Sequence, residues 1–174
     1  MKIAEISSEI IPYAKTGGLA DVVGTLPLYL EKTGYEVSMF LPFYKSVKES
    51  GIDIKLLDIT FDIPIGDREH TVNLWKSTHH GSKNIAIYFI QYDEYYDRDA
   101  LYGTESGDYQ DNSERFIFFS RAVIEAIKRL ELSIDIIHCH DWQTALIPIY
   151  LKTLFTHDQK LSAIKTVLTI HNLA

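Results

Sequence analysis

The sequence predicts an α/β fold, a Rossmann-like and mostly parallel sheet with helices on both faces and a β-hairpin excursion. Short apolar runs of strand length alternate with segments whose apolar residues recur at helical spacing. Three of those runs end in polar or ionisable residues: Lys2–Ser7, Asp135–His138 and Lys165–Ile170. In open α/β sheets ligands bind beyond the carboxyl ends of the strands, so these polar endings mark one functional rim.

The first run, Lys2–Ser7, reads as a strand and passes through a loop, Ser8–Gly18, into a helix over Leu19–Lys32. Leu19, Val22, Val23, Leu26 and Leu30 supply the helical period, with Pro27 as a candidate kink. Gly34 suits a left-handed cap, and Tyr35–Leu41 is the next strand, ended by Pro42. Strand, helix and strand make a right-handed βαβ unit. Ile52–Ile65 and His70–Ser77 are β-rich around a Gly66-Asp67 turn, which predicts a hairpin. Asn84–Tyr92 reads as a buried strand, and Tyr92–Gln110 as a long surface loop. Asp111 with Glu114 three residues on predicts a capping box for a helix whose inward stripe is Phe116, Ile117, Val123, Ile124 and Ile127. Asp135–His138 is a strand, Asp141 caps a helix running to about Phe155, and Lys165–Ile170 is the last strand.

Composition narrows the functional classes. The chain has 174 residues, 46% hydrophobic and 24% charged, an ordinary globular balance for one domain. Seventeen Lys+Arg against 24 Asp+Glu give a net charge of −7, with no basic cluster, so nucleic acid is not an expected partner. The single cysteine, Cys139, excludes an internal disulfide and fits a reducing compartment. Glu5 and Glu9 interrupt the apolar residues near the start, so no signal peptide is visible. No apolar run reaches membrane-spanning length, and a cytoplasmic location with no membrane partner is expected.

Three clusters have chemistry to offer. Lys15-Thr16-Gly17-Gly18-Leu19 lies between the first strand and its helix. It is neither a P-loop nor a dinucleotide fingerprint, but glycines at a helix N-terminus with a nearby lysine suit a diphosphate or sugar hydroxyls. Asp21 can accept hydrogen bonds there. The same residues equally fit a plain tight turn followed by an acidic helix start. His138-Cys139-His140-Asp141-Trp142 places two histidines on one strand face and Cys139 on the other. Two imidazoles and a carboxylate are a possible metal set, although no spaced His/Cys partner follows, and satisfied core histidines also fit. His171-Asn172 ends the last strand as a ligand-facing pair or as a simple turn. Six of the 11 tyrosines (Tyr88, Tyr92, Tyr95, Tyr96, Tyr102, Tyr109) crowd one region, which suits sugar rings or a loop packed down by its own aromatics.

Together these residues resemble the bacterial glycogen synthase and plant starch synthase family. The resemblance rests on Lys2-Ile3-Ala4-Glu5-Ile6-Ser7-Ser8-Glu9 with Pro12, and on Lys15 through Val22. Tyr109-Gln110-Asp111-Asn112 with Arg115-Phe116, then His138 through Gln143, then Thr169 through Ala174 follow in family order. It implies that residues 1–174 are the N-terminal domain, in part, of a two-domain GT-B glycosyltransferase whose C-terminal nucleotide-binding domain is absent. It implies transfer of glucose from ADP-glucose, or UDP-glucose in some members, to the non-reducing end of an α-1,4-glucan with retention, and no cofactor or bound metal. Lys15, Gly17, Gly18, Asp21, Tyr102, Asp141, His171 and Asn172 then correspond to the donor-binding residues, with Asp141 and His171 in supporting catalytic positions. It also implies an inactive chain when isolated, and an apolar surface left bare on the last strand. A non-catalytic glucan- or nucleotide-binding module of the same fold is the alternative.

Overall fold

The computed structural model describes residues 1–172; Leu173 and Ala174, the end of the last motif, lie outside them. The elements run β1 (Lys2–Ile6), α1 (Leu19–Lys32), β2 (Glu36–Pro42), α2 (Lys45–Lys48), β3 (Lys55–Ile65), β4 (Arg68–Thr78) and β5 (Ala86–Gln91). They continue α3 (Asp93–Tyr96), β6 (Gly103–Thr104), β7 (Gly107–Asp108), α4 (Asn112–Arg129), β8 (Ile136–His140), α5 (Leu146–Thr153), α6 (Gln159–Ala163) and β9 (Lys165–Thr169). Seven strands form one sheet in the order β3-β4-β5-β2-β1-β8-β9. The strands β5-β2-β1-β8-β9 run parallel to one another, and the long β3–β4 hairpin, with β4 antiparallel to β5, extends that sheet as an antiparallel edge. The expected hairpin is thus present, joined to the main sheet through β4 and β5.

Burial explains the parallel part. Ala4, Ile6, Met39, Phe40, Leu41, Ile87, Phe89, Ile90 and Ile137 are all fully enclosed, as strands covered on both faces require. α4 packs Phe116, Val123, Ile124 and Ile127 into the core, as its spacing predicts, whereas Ile117, expected in the stripe, is only partly buried and Phe118 and Phe119 are buried as well. In α1 the inward face is Leu19, Ala20, Val23, Gly24 and Pro27, so Val22, expected in the stripe, stays 45% exposed. The stripe is rotated because Gly24 lets the loop press on the helix: a Cβ there would lie 2.3 Å from the Ile11 side chain. α1 continues through Pro27. It ends in a Schellman motif, with Gly34 at φ 90° and N–H groups of Gly34 and Tyr35 donating to the Glu31 and Leu30 carbonyls.

Four local expectations need correction. Asp111 occupies the N-cap of α4 but forms no cap hydrogen bond, because both its oxygens are taken by Arg98 at 2.8 and 2.5 Å. Glu114 is likewise drawn away, accepting from the Tyr95 hydroxyl. A bidentate guanidinium outcompetes a single backbone N–H. The segment 92–110 is not one open loop: it contains α3 and the small β6–β7 hairpin, and it buries Tyr95 and Tyr96. The helix expected from Asp141 is split into a 3-10 turn, Trp142–Thr144, and α5, while β8 extends through His140. The side chain of Asp141 caps nothing in that turn. β9 carries exposed apolar residues, as expected, and on both of its faces: Val167 on one and Leu168 on the other, with Ile170 exposed just beyond it.

Candidate functional site

The strand order decides where a site can form. From β1 the chain crosses through α1 to β2 on one side, and later returns to place β8 on the other side of β1. The order reverses between β1 and β8, and their carboxyl ends open the crevice where doubly wound sheets bind ligands. Two polar networks grow from β1 and its following loop.

The first holds the glycine loop. Glu9 is only 4% exposed, and its carboxylate accepts from the backbone N–H of Thr16 at 2.6 Å and of Gly17 at 3.2 Å. It also accepts from the Thr16 hydroxyl at 2.6 Å and the Tyr102 hydroxyl at 2.9 Å. Tyr102 shares a further 2.7 Å hydrogen bond with the Ser8 hydroxyl. Burial, together with the nearby Glu9 charge, raises the Tyr102 phenol far above its ordinary value, so it stays a donor. The N–H groups of Thr16 and Gly17 thus serve an internal carboxylate, and the loop is held in shape from below. Space outside the glycines is open: a Cβ on Gly17 or Gly18 would meet nothing within 4 Å. Beside them the Lys15 ammonium lies 2.7 Å from both oxygens of Asp21, in an ion pair about half exposed on each side.

The second network is buried. Glu5 on β1 is fully enclosed, as is His140 on β8, and the sheet register sets Glu5 directly beside His138. His140 Nε2 lies 2.8 Å and His138 Nδ1 3.0 Å from Glu5 Oε2. His138 Nε2 meets the Thr169 hydroxyl at 2.7 Å, and His140 Nδ1 meets His171 Nε2 at 2.9 Å. Burial alone would raise the Glu5 carboxyl, but the hydrogen bonds from both histidines outweigh it and hold it below the ordinary carboxylate value. Burial lowers His140, against the opposing pull of Glu5, and keeps it neutral near pH 7. Asp141 adopts a left-handed backbone, φ 59°, which few non-glycine residues do. There its Oδ1 accepts from the His171 backbone N–H at 2.6 Å, tying the end of β8 to the segment after β9.

The structure therefore brings Gly17 together with Tyr102 through Glu9, Lys15 with Asp21, and Asp141 with His171. Aromatic rings connect the two networks: Tyr102 leans on Phe116 (5.9 Å), which meets the half-exposed Trp142 edge-on at 5.1 Å. Asn172 follows His171 on the same rim. Two imidazoles and a carboxylate do converge, with Glu5 in the position expected of Asp141. Their donor atoms lie within 4.8 Å of one another, a spacing that could hold a metal ion, and mutual hydrogen bonds already satisfy them. Cys139 points to the other face of β8, and burial pushes its thiol up to about 12. Glu5 and Glu9 carry both networks, yet the sequence shows them only as acids breaking an apolar run. The one readable signal is a glutamate at a strand position flanked by Ala4 and Ile6.

Comparison with known proteins identifies the family of the chain. Residues 2–174 match the family model described as the starch synthase catalytic domain. The chain belongs to that family. It is 45% identical over 184 residues to a glycogen synthase of Thermodesulfovibrio yellowstonii, covering 99% of this chain and 37% of that protein. It is 46% identical over 174 residues to a glycogen synthase of Geotalea daltonii, covering 100% of this chain and 35% of that one. Among solved structures, the catalytic domain of starch synthase IV from Arabidopsis thaliana, bound to ADP and acarbose, superposes with a TM-score of 0.82 at 30% identity. That alignment covers 98% of this chain and 34% of that one. The chain thus spans about a third of the length of the starch and glycogen synthases it matches. The α/β architecture expected from sequence is that of the family. No helix among the described residues is long and apolar enough to cross a membrane.

Proposed function

We propose that this chain forms one wall of the donor site in a retaining glucosyltransferase. The enzyme transfers glucose from ADP-glucose to the non-reducing end of an α-1,4-glucan; UDP-glucose is the alternative donor. The main support is the strand order: a preshaped glycine loop carrying Lys15 follows β1, and the clasped Asp141–His171 pair follows the neighbouring strands β8 and β9. The relatives named glycogen synthase and the ADP-bound starch synthase neighbour point the same way.

The chemistry follows from charge. Cleaving the glucose–phosphate bond leaves a diphosphate whose charge grows as the sugar becomes oxocarbenium-like. Donors and cations that bind that growing charge most strongly lower the barrier. Lys15 takes this role with Gly18 and the start of α1, since Glu9 already uses the N–H groups of Thr16 and Gly17. The open space over Gly17 and Gly18 admits the phosphates and sugar close to the backbone. Asp21 holds Lys15 until the donor arrives and then accepts from its hydroxyls. His171, Asn172 and Asp141 orient the glucose, and Tyr102 steadies the loop through Glu9.

The test is incorporation of labelled glucose from ADP-glucose into glycogen by the protein as the cell makes it. Transfer is expected there, with none from residues 1–174 alone, and Lys15→Ala should cut kcat/KM for the donor by about 10- to 100-fold. Donor or glucan binding without transfer by the whole protein would leave the non-catalytic module.

A further inference from the structure

The buried network does more than fill the space between β1 and β8: its hydrogen-bond pattern determines which nitrogen of His171 carries a proton. An ionised carboxylate only accepts, so both imidazole nitrogens beside Glu5 must donate. His140 therefore carries its proton on Nε2, 2.8 Å from Glu5 Oε2. A neutral imidazole has one N–H, so His140 Nδ1 is a bare lone pair. Across 2.9 Å from it stands His171 Nε2, which must then be the donor. His138 Nδ1 likewise donates to Glu5, and its Nε2 meets the Thr169 hydroxyl, which can donate or accept, at 2.7 Å. Each ring nitrogen of His138 and His140 thus has a hydrogen-bond partner.

We infer that Glu5 and His140 are positioning residues that lock His171 in its Nε2–H tautomer, so that His171 offers Nδ1 as an acceptor to a substrate hydroxyl. The backbone of His171 is held independently by the Asp141 carboxylate, so both its place and its proton are set before ligand arrives. Burial works against an imidazolium at His140, which would donate from both nitrogens. The hydroxyl His171 contacts must donate, and this makes the subsite selective for a sugar with a hydroxyl at that position. Neither fluorine nor hydrogen can take its place, since fluorine accepts but cannot donate. The inference takes the substrate to be a sugar nucleotide, as proposed above; the tautomers themselves depend only on the protein.

The experiment is ¹⁵N NMR of the histidine side chains in the protein as the cell makes it, with His140→Gln and His171→Gln variants to assign the signals. A protonated Nε2 and a bare Nδ1 on His171 are expected. Glu5→Gln keeps the shape of the side chain but removes its charge and replaces one of its two acceptor oxygens by an amide donor, so the imidazoles are no longer both compelled to donate, and the His140 and His171 tautomer populations should shift measurably. In the same variant donor kcat/KM should fall about 10-fold or more, while competitive inhibition by ADP is unchanged. Single-fluorine donors should identify one hydroxyl whose replacement costs as much as its removal, and whose loss is not deepened by Glu5→Gln. A wild-type His171 protonated at Nδ1 would overturn the inference, as would a tautomer indifferent to Glu5→Gln. Should Glu5→Gln fail to fold, the wild-type spectrum alone still decides. The expected tautomers in a protein without glucosyl transfer would sink the proposed function and leave the relay standing.

Discussion

Two acidic residues four positions apart, Glu5 and Glu9, organise opposite kinds of structure. Around Glu5 two histidines and a threonine are joined inside the sheet, with His171 linked just beyond β9, and Glu5 and His140 have no solvent exposure at all. Around Glu9 the partners are backbone and hydroxyl groups of a surface loop, and the neighbouring Lys15–Asp21 pair stands half in water. In the dry network hydrogen-bond direction is enforced, because a mismatched buried donor or acceptor costs its full desolvation. In the wet one charge matters more than direction, and screening weakens it. One edge of the candidate site is therefore built to orient, the other to attract.

The contrast breaks most visibly on removing the buried acid. Glu5→Ala leaves two imidazole donors and a void in the sheet and should lower unfolding free energy by about 3 kcal/mol or more. Urea denaturation measures this, and a loss under about 1 kcal/mol would place Glu5 among ordinary surface acids. Acid should weaken the protein through the same cluster. His140 binds its proton less readily when folded, so stability falls as pH drops below the ordinary histidine value. Glu5, held below its ordinary value, adds a second loss as pH falls further through the carboxylate range. Both signs agree because the unfolded chain binds more protons in each window. Thermal melts from pH 8 to pH 4 should show a steeper decline than those of Glu5→Gln; parallel curves would assign acid sensitivity elsewhere. The smallest effect belongs to the exposed pair. A double-mutant cycle on Lys15 and Asp21 should give a coupling below about 1 kcal/mol, fading in salt. A larger, salt-resistant coupling would make the wet edge as rigid as the dry one.

What was legible in the sequence follows the same division. Periodicity and glycine placement recover β1, α1 with its Gly34 stop, β2, the β3–β4 hairpin, α4 and β9, because those features are local. The rim was legible too, since polar residues closing apolar strands need no knowledge of pairing. Asp111 and Glu114 mislead because a capping box is a local pattern, and Arg98 and Tyr95 are brought to it by tertiary packing. Asp141 misleads likewise: its carboxylate serves the segment after β9, 30 residues on, which no local spacing reveals. Glu5 is the deepest omission. Its partners are 133 and 135 residues away, and only the β1–β8 register shows that a charge in an apolar strand is matched.

Cys139 shares β8 with these histidines but faces the other way, fully covered, with a thiol that stays protonated at any ordinary pH. As the single sulfhydryl of the chain, it turns β8 into its own reporter. A small alkylating reagent can reach it only in moments when β8 parts from its neighbours. The labelling rate in native buffer therefore counts those openings, giving the local stability of the site's central strand without a probe being added.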